Sequence, residues 1–331
     1  MSYLNNALQG KKVVVTGATG FIGGRLAQRL AAEEGARVTG TGRDLSKVPF
    51  VKDAGVTLKA VDLLDEAQVR ELLVGQEVLF HVAGWVGKGS YEDAYRVNVT
   101  ATENVLRQAA AAGVQRIVHL STVGAYGPPH RDMMDETHPI DTEQEDVYGR
   151  SKAHGEVVVR KLIDELGLKV AIIRPAMVYG PRAYSWTLGL YRMVKKGVPV
   201  LFGKADGHSH PVYIDNLVDG IMLTAVHPQA IGEAFNFCDR PVQWDTWWGY
   251  YGQMAGRKLR RVPMWIAKIG AVLSDTFKLK LPLSRVRLTY YRRKLVFPIE
   301  KARRLLGYEP RISLDEGMKR SEAWLREEGH L

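Results

Sequence analysis

The chain is poor in cysteine, in long apolar runs and in repetition. A single thiol, Cys238, among 331 residues cannot form an internal disulfide and leaves no cysteine pair for a zinc or iron–sulfur site. No metal is expected, and one thiol fits a reducing compartment, so a cytoplasmic location is expected. The most apolar late stretch, Val262 to Leu283, is broken by Lys268, Asp275, Lys278 and Lys280. It falls short of the roughly 18 clean apolar residues that a spanning helix needs, though an amphipathic helix covering a pocket or touching a lipid surface stays open to it. The first ten residues lack the basic region and apolar stretch of a signal peptide, so export by that route is not expected. Internal repeats and low-complexity tracts are absent.

What is present looks like an ordinary soluble chain. Hydrophobic residues make up 46% and charged residues 25%, which excludes disordered and collagenous classes. The net charge of +10 is unevenly spread: from Arg257 to Leu331 there are 19 basic against 8 acidic side chains, and elsewhere 27 against 28. The excess therefore belongs to the C-terminal quarter. It reads as solvated helix faces, as steering of an anionic or acyl-carrier-bound substrate, or as peripheral contact with an anionic membrane. Nucleic-acid binding through Arg257–Arg261 and Arg292–Lys294 lacks interleaved stacking aromatics and is not expected.

Short β-branched runs alternate with helical periodicity. Strands are predicted at 12–16, 37–39, 56–61, 77–81, 116–121 and 169–174, with helices at 21–32, 66–73, about 93–112 and about 147–166. This alternation predicts an α/β fold, a doubly wound parallel Rossmann sheet over residues 1–175. Residues 176–331 read as a smaller mixed α/β lobe for substrate, with segments around 212–238 returning to the core. Most of the aromatics around Trp244, Trp247 and Trp248 are predicted to be core.

Three clusters carry chemistry. Gly17, Gly20 and Gly23 follow a predicted strand and open a predicted helix, a context in which backbone can approach a pyrophosphate at a helix N-terminus. Tyr148 and Lys152 lie four apart on a predicted helix, so both can address one bound molecule, and a nearby positive charge favours phenolate. Ser121 and Thr122 stand at the C-terminal end of a predicted strand, where open α/β sheets place ligands.

The GxxGxxG spacing, the YxxxK pair and their order resemble the extended short-chain dehydrogenase/reductase family, the NAD-dependent epimerase/dehydratase superfamily, over nearly the whole chain. The resemblance implies Thr122, Tyr148, Lys152 and Asn98 as catalytic residues, with Thr122 selected over Ser121. It implies cofactor contacts from Gly17, Thr19, Gly20, Phe21, Ile22, Gly23, Arg43, Asp62, Leu63, Ala83, Tyr148, Lys152, Pro175 and Val178. Trp85, Thr122, Met177, Trp186 and His210 are the substrate-side candidates. A homodimer through helices around 98–112 and 148–166 is also implied.

Cofactor choice is read at the end of the second strand. Gly42 stands where an acid would accept from a ribose 2′-OH, and Arg43 follows, which suits a 2′-phosphate. NADP is therefore favoured, NAD remaining open if Asp44 folds back onto the ribose. Sugar-nucleotide members carry an Arg just before the later strand, whereas this chain reads Gly207-His208-Ser209-His210-Pro211. The sequence looks most like the 3β-hydroxysteroid dehydrogenase and dihydroflavonol reductase branch, which implies hydride transfer with an apolar alcohol or ketone, steroid-, flavonoid- or acyl-like. A nucleotide-sugar epimerase or dehydratase and a non-catalytic NADP-sensing regulator are the alternatives.

Overall fold

The computed structural model describes residues 3–46, 48–87, 89–198, 200–277 and 285–331. Six strands lead the chain order: β1 (Lys12–Thr16), β2 (Arg37–Gly42), β3 (Thr57–Ala60), β4 (Val78–His81), β5 (Arg116–Leu120) and β6 (Val170–Pro175). Between them run helices α1 (Phe21–Ala32), α2 (Pro49–Asp53), α3 (Glu66–Leu73), α4 (Tyr91–Tyr95), α5 (Ala101–Ala111) and α6 (Val147–Leu166). A later strand, Ala234–Phe237, pairs with β6 and completes a seven-stranded sheet in which every pairing is parallel. From that edge the order is Ala234–Phe237, β6, β5, β4, β1, β2, β3. The order reverses between β1 and β4, the crevice where open parallel sheets bind ligands.

The apolar runs are explained by burial on both faces. Along β1, Val13 and Val15 pack with Leu26 and Leu30 of α1, while Val14 points the other way among Leu106, Val159 and Leu162. Local signals fix the helix ends. Asp65 caps α3, Asp146 caps α6 by accepting from Gly149 N at 2.7 Å, and Gly167 ends α6 in the left-handed region at φ +65°.

Beyond β6 come helices α7 (Leu190–Lys195), α8 (Ile214–Val226), α9 (Trp244–Met254), α10 (Met264–Thr276), α11 (Arg285–Arg292), α12 (Glu300–Leu306) and α13 (Leu314–Glu327), with short strand pairs between them. Trp244, Trp247 and Trp248 of α9 are buried, Trp247 edge-on to Tyr179 and Tyr251. Of the apolar stretch Val262 to Leu283, the part beyond Phe277 lies outside the described residues. Two differences from the sequence reading stand out. The helix expected over 93–112 starts at Tyr91 and passes through a π turn at Arg96–Thr100, where Ala101 N–H reaches back to the Arg96 carbonyl. Arg174, the last residue of the predicted strand 169–174, is buried and forked onto Glu156 of α6, with a third donor on the Tyr126 hydroxyl, 2.7 Å away.

Candidate active site

The first wall of the site is the turn after β1. Gly17 takes φ +72°, and a Cβ there would lie 2.8 Å from Ala83 Cα beyond β4. A Cβ on Gly23 would lie 2.3 Å from the Gly17 carbonyl oxygen, so only glycine lets α1 start this close to the turn. Exposed Gly20 is the N-cap of α1, which has no side-chain cap and no acid in its first turn. An uncapped, uncompensated helix N-terminus at the sheet switch point is built for an anion. The residues present therefore fit the pyrophosphate of a dinucleotide.

The second wall joins β5 to α6. Thr122, just past β5, accepts from Gly124 N at 3.1 Å, and its side chain lies near enough to the Tyr148 phenol, in the first turn of α6, to pull its pKa down. Ser121, its neighbour, has a buried hydroxyl with no partner among the described residues. Lys152, one turn beyond Tyr148, is buried and donates to the Leu120 carbonyl at the end of β5. Asn98, in the π turn, accepts from Trp85 N at 2.7 Å and donates to Ser151 Oγ at 2.8 Å. A Cβ on Gly84 would sit between Asn98 Oδ1, at 3.1 Å, and Lys152 Nζ, at 3.7 Å, so Asn98 and Lys152 flank one point of the β4 exit.

The electrostatics differ from the expectation that Lys152 draws Tyr148 toward phenolate. Burial pushes the Tyr148 phenol up to about 12, with the Thr122 side chain pulling down and the Asp146 charge adding to the rise. Burial likewise pushes the Lys152 ammonium down to about 8, against the attraction of Glu156. The lysine is turned to a strand-end carbonyl, and each group carries its own desolvation cost.

Behind the walls runs a directional chain of hydrogen bonds. The Val82 and Ala83 N–H groups donate to Thr16 Oγ1 at 3.1 and 3.2 Å, leaving the Thr16 hydroxyl to donate to His81 Nδ1 at 2.9 Å. On the other side His81 Nε2 donates to Thr102 Oγ1 at 3.1 Å, and Thr102 donates to the Asn98 carbonyl at 2.9 Å. Burial pushes His81 down to about 3, so the ring is neutral, as this chain requires. His81 thereby ties the glycine turn to the π turn. Thr102 escaped the sequence reading because one threonine inside a helix carries no local signal.

The remaining candidates spread over three places. Thr19, Arg43, Asp62 and Leu63 cluster at the ends of β1, β2 and β3, with Arg43 and Asp62 exposed; Asp44 accepts from Ser46 N and Oγ at 3.0 and 2.6 Å. Pro175 ends β6 and Met177 and Val178 follow it, the Pro175 carbonyl accepting from Thr122 Oγ1 at 3.4 Å. On the substrate side, Trp85 and Met177 are half-buried and Trp186 is partly exposed. His210 is committed elsewhere: Nε2 donates to the Leu295 carbonyl at 2.6 Å, the ring meets Phe297 edge-on, and burial pushes it down to about 4.

Beside α1 lies a cleft of about 260 Å³, lined in part by Phe21, Arg25, Phe50, Arg182 and Arg320. Arg25 and Arg320 share Asp215, at 2.6 and 3.9 Å. Arg182 sits in the left-handed region at φ +69° with its guanidinium 3.9 Å above the Phe50 ring. None of the three arginines was a sequence candidate. Their separation along the chain, at 25, 182 and 320, hides a cluster that only the fold assembles.

Residues 13–238 match the NAD dependent epimerase/dehydratase family. The chain belongs to that family. It is similar to the 2-alkyl-3-oxoalkanoate reductase of Shewanella oneidensis, 28% identical over 94% of this chain and 85% of that one. It is 28% identical to a 3 beta-hydroxysteroid dehydrogenase/Delta 5-->4-isomerase of Mycobacterium tuberculosis, over 93% and 88%. A UDP-glucose 4-epimerase of Vibrio cholerae is 30% identical over 69% of this chain and 71% of its own length. Among solved structures, the crystal structure of gox2253 superposes with a TM-score of 0.82 at 26% identity, covering 97% of this chain and all of that one. As an epimerase/dehydratase-family protein the chain is an oxidoreductase-type enzyme that uses a nicotinamide cofactor. Among the described residues, no helix is long and apolar enough to cross a membrane, and no group of three or more His, Cys, Asp or Glu side chains is placed to hold a metal ion.

Proposed function

We propose that this protein interconverts an alcohol and a ketone on a largely apolar substrate, acyl- or steroid-like, with NADP as the favoured cofactor. The observation that carries the reading is the meeting of Thr122 and Tyr148, one helical turn from Lys152, at the same C-terminal end of the sheet as the glycine turn. When bound there, the nicotinamide supplies or accepts the hydride. Tyr148 holds the proton that passes to or from the substrate oxygen, and its raised pKa keeps it a proton donor at neutral pH. Thr122 orients that oxygen. Lys152, whose ammonium is held by the Leu120 carbonyl, positions the ribose side of the cofactor. Gly17, Gly20, Phe21, Ile22 and Gly23 hold the pyrophosphate, and Arg43 takes a ribose 2′-phosphate.

Two observations favour an apolar substrate over a sugar nucleotide. Where sugar-nucleotide enzymes carry an arginine, both His208 and His210 turn to the Leu295 carbonyl, at 3.1 and 2.6 Å. Two relatives of near-full coverage are named for a 3-oxoalkanoate and a steroid. NADPH consumption with a panel of 2-alkyl-3-oxoalkanoates and 3-oxosteroids tests the reading, with UDP-glucose epimerisation run alongside. Turnover of the ketones that falls about 10²- to 10⁴-fold in Tyr148→Phe, with cofactor affinity kept, is the expected result. Epimerisation of UDP-glucose without ketone reduction would overturn it.

A further inference from the structure

Helix α10 is built inside out. Toward the protein it offers small side chains, Ala267 and Ala271, packed with Phe202 and Leu288. Toward solvent it presents Trp265, Ile266, Ile269, Val272 and Leu273, with Phe277 just past its end. These follow the helical repeat and form one continuous apolar arc. Trp265 and Phe277, at the two ends, are 66% and 67% exposed. Scattered exposed apolar residues need no explanation, but six on one face do. The charge before and along most of the helix is of one sign: between Asp245 and Asp275, near the helix end, there is no acidic residue, while Arg257, Lys258, Arg260, Arg261 and Lys268 are all basic and all exposed. Arg261 is held by Asp245 at 2.7 Å, and the other four are exposed on or just before the helix.

We propose that this face of α10, with the basic segment before it, docks on an anionic lipid surface. A helix with bulky apolar and aromatic residues on one side and lysine and arginine at its borders is the form that lies in a membrane interface, and its 13 residues are too few to cross one. Charge decides against the competing occupant. A second copy meeting this face through its own α10 would bring the same five cations with one acid on the helix, Asp275, to offset them. Anionic headgroups complement these cations. The proposal does not rest on the reductase reading, since it uses no residue of the active site.

The test is co-sedimentation of the full chain with vesicles of phosphatidylcholine alone and of equal parts phosphatidylcholine and phosphatidylglycerol. The chain is expected to pellet with the anionic vesicles far more than with the neutral ones, and less as salt rises. The double variant Ile269→Glu, Leu273→Glu should abolish pelleting at an unchanged melting temperature, since both positions are exposed. Arg257→Gln, Lys258→Gln and Arg260→Gln should each weaken binding about five-fold. Failure to pellet with anionic vesicles, or pelleting indifferent to both sets of variants, overturns the proposal. So does a dimer in solution that Leu273→Glu disperses, which would assign the face to a second copy.

Discussion

Thr19 occupies the space that a side chain on Gly42 would need: a Cβ at Gly42 would lie 2.2 Å from Thr19 Oγ1. The end of β2 therefore has no room for an acid, and the first charged groups are Arg43, exposed, and Asp44, engaged by Ser46. A 2′-phosphate placed there would meet a guanidinium and no opposing carboxylate from position 42. Hydrogen bonds to a charged group are worth about 1.5–3 kcal/mol, so Arg43→Ala should lower kcat/KM for NADPH by roughly ten- to a hundred-fold and leave NADH nearly unchanged. Steady-state kinetics with both cofactors check this, and a native preference for NADH would sink it.

Lys152 gives the protein a pH signature of its own. Its folded pKa, about 8, lies below the ordinary 10.5, so above pH 8 the folded state sheds a proton that the unfolded chain still holds. Stability from this group is full above pH 10.5 and is lost as pH falls through 8. Between pH 7 and 10 the gain is about 2–3 kcal/mol. Tyr148, raised to about 12, stays protonated across that window. Urea midpoints should thus rise with pH in the native chain relative to Lys152→Met. Parallel curves for the two would refute the buried, destabilised ammonium.

Gly155 on α6 faces the main chain of the π turn, where a Cβ would come within 2.5 Å of the Asn98 carbonyl oxygen. Neither side can yield cheaply, because both atoms are backbone or fixed to it. Gly155→Ala should cost about 1–3 kcal/mol, the usual penalty of overpacking, despite the gain in helix propensity. Thermal denaturation measures it. An unchanged or raised melting temperature would mean that the π turn moves freely.

The glycine turn, the Tyr148–Lys152 spacing and the strand-end hydroxyls were legible because each is a local pattern whose physics acts within a few residues. The sheet was legible from alternation, since strands buried on both faces read as unbroken apolar runs such as Val13-Val14-Val15. The π turn was not: Arg96–Thr100 reads as helix, and the glycine packed against it, Gly155, is more than fifty residues away. For α10 the periodicity separates two faces but does not say which one packs inward. That the alanines do so depends on Phe202 and Leu288, which come from elsewhere in the chain. The pKa of Tyr148 was misjudged because burial outweighs the charge of a lysine aimed at another acceptor.

Arg182 offers the sharpest separation of the two substrate readings. Its cleft borders Phe21, the first residue of α1, beside the turn proposed to hold a cofactor pyrophosphate. The position also stores strain: a non-glycine residue at φ +69° costs about 1 kcal/mol or more, which glycine relieves. Arg182→Gly should therefore fold at least as stably as the native chain, so that a functional loss cannot be put down to misfolding. If Arg182 serves the cofactor, the variant's Kd for NADPH rises roughly ten- to a hundred-fold, the worth of a charge-assisted hydrogen bond, while the KM of an apolar ketone stays put. If it serves a substrate diphosphate, cofactor affinity is unchanged and only a sugar nucleotide loses binding. Calorimetric titration of native and variant protein with NADPH and with UDP-glucose tells the two apart, and the first outcome is the one expected.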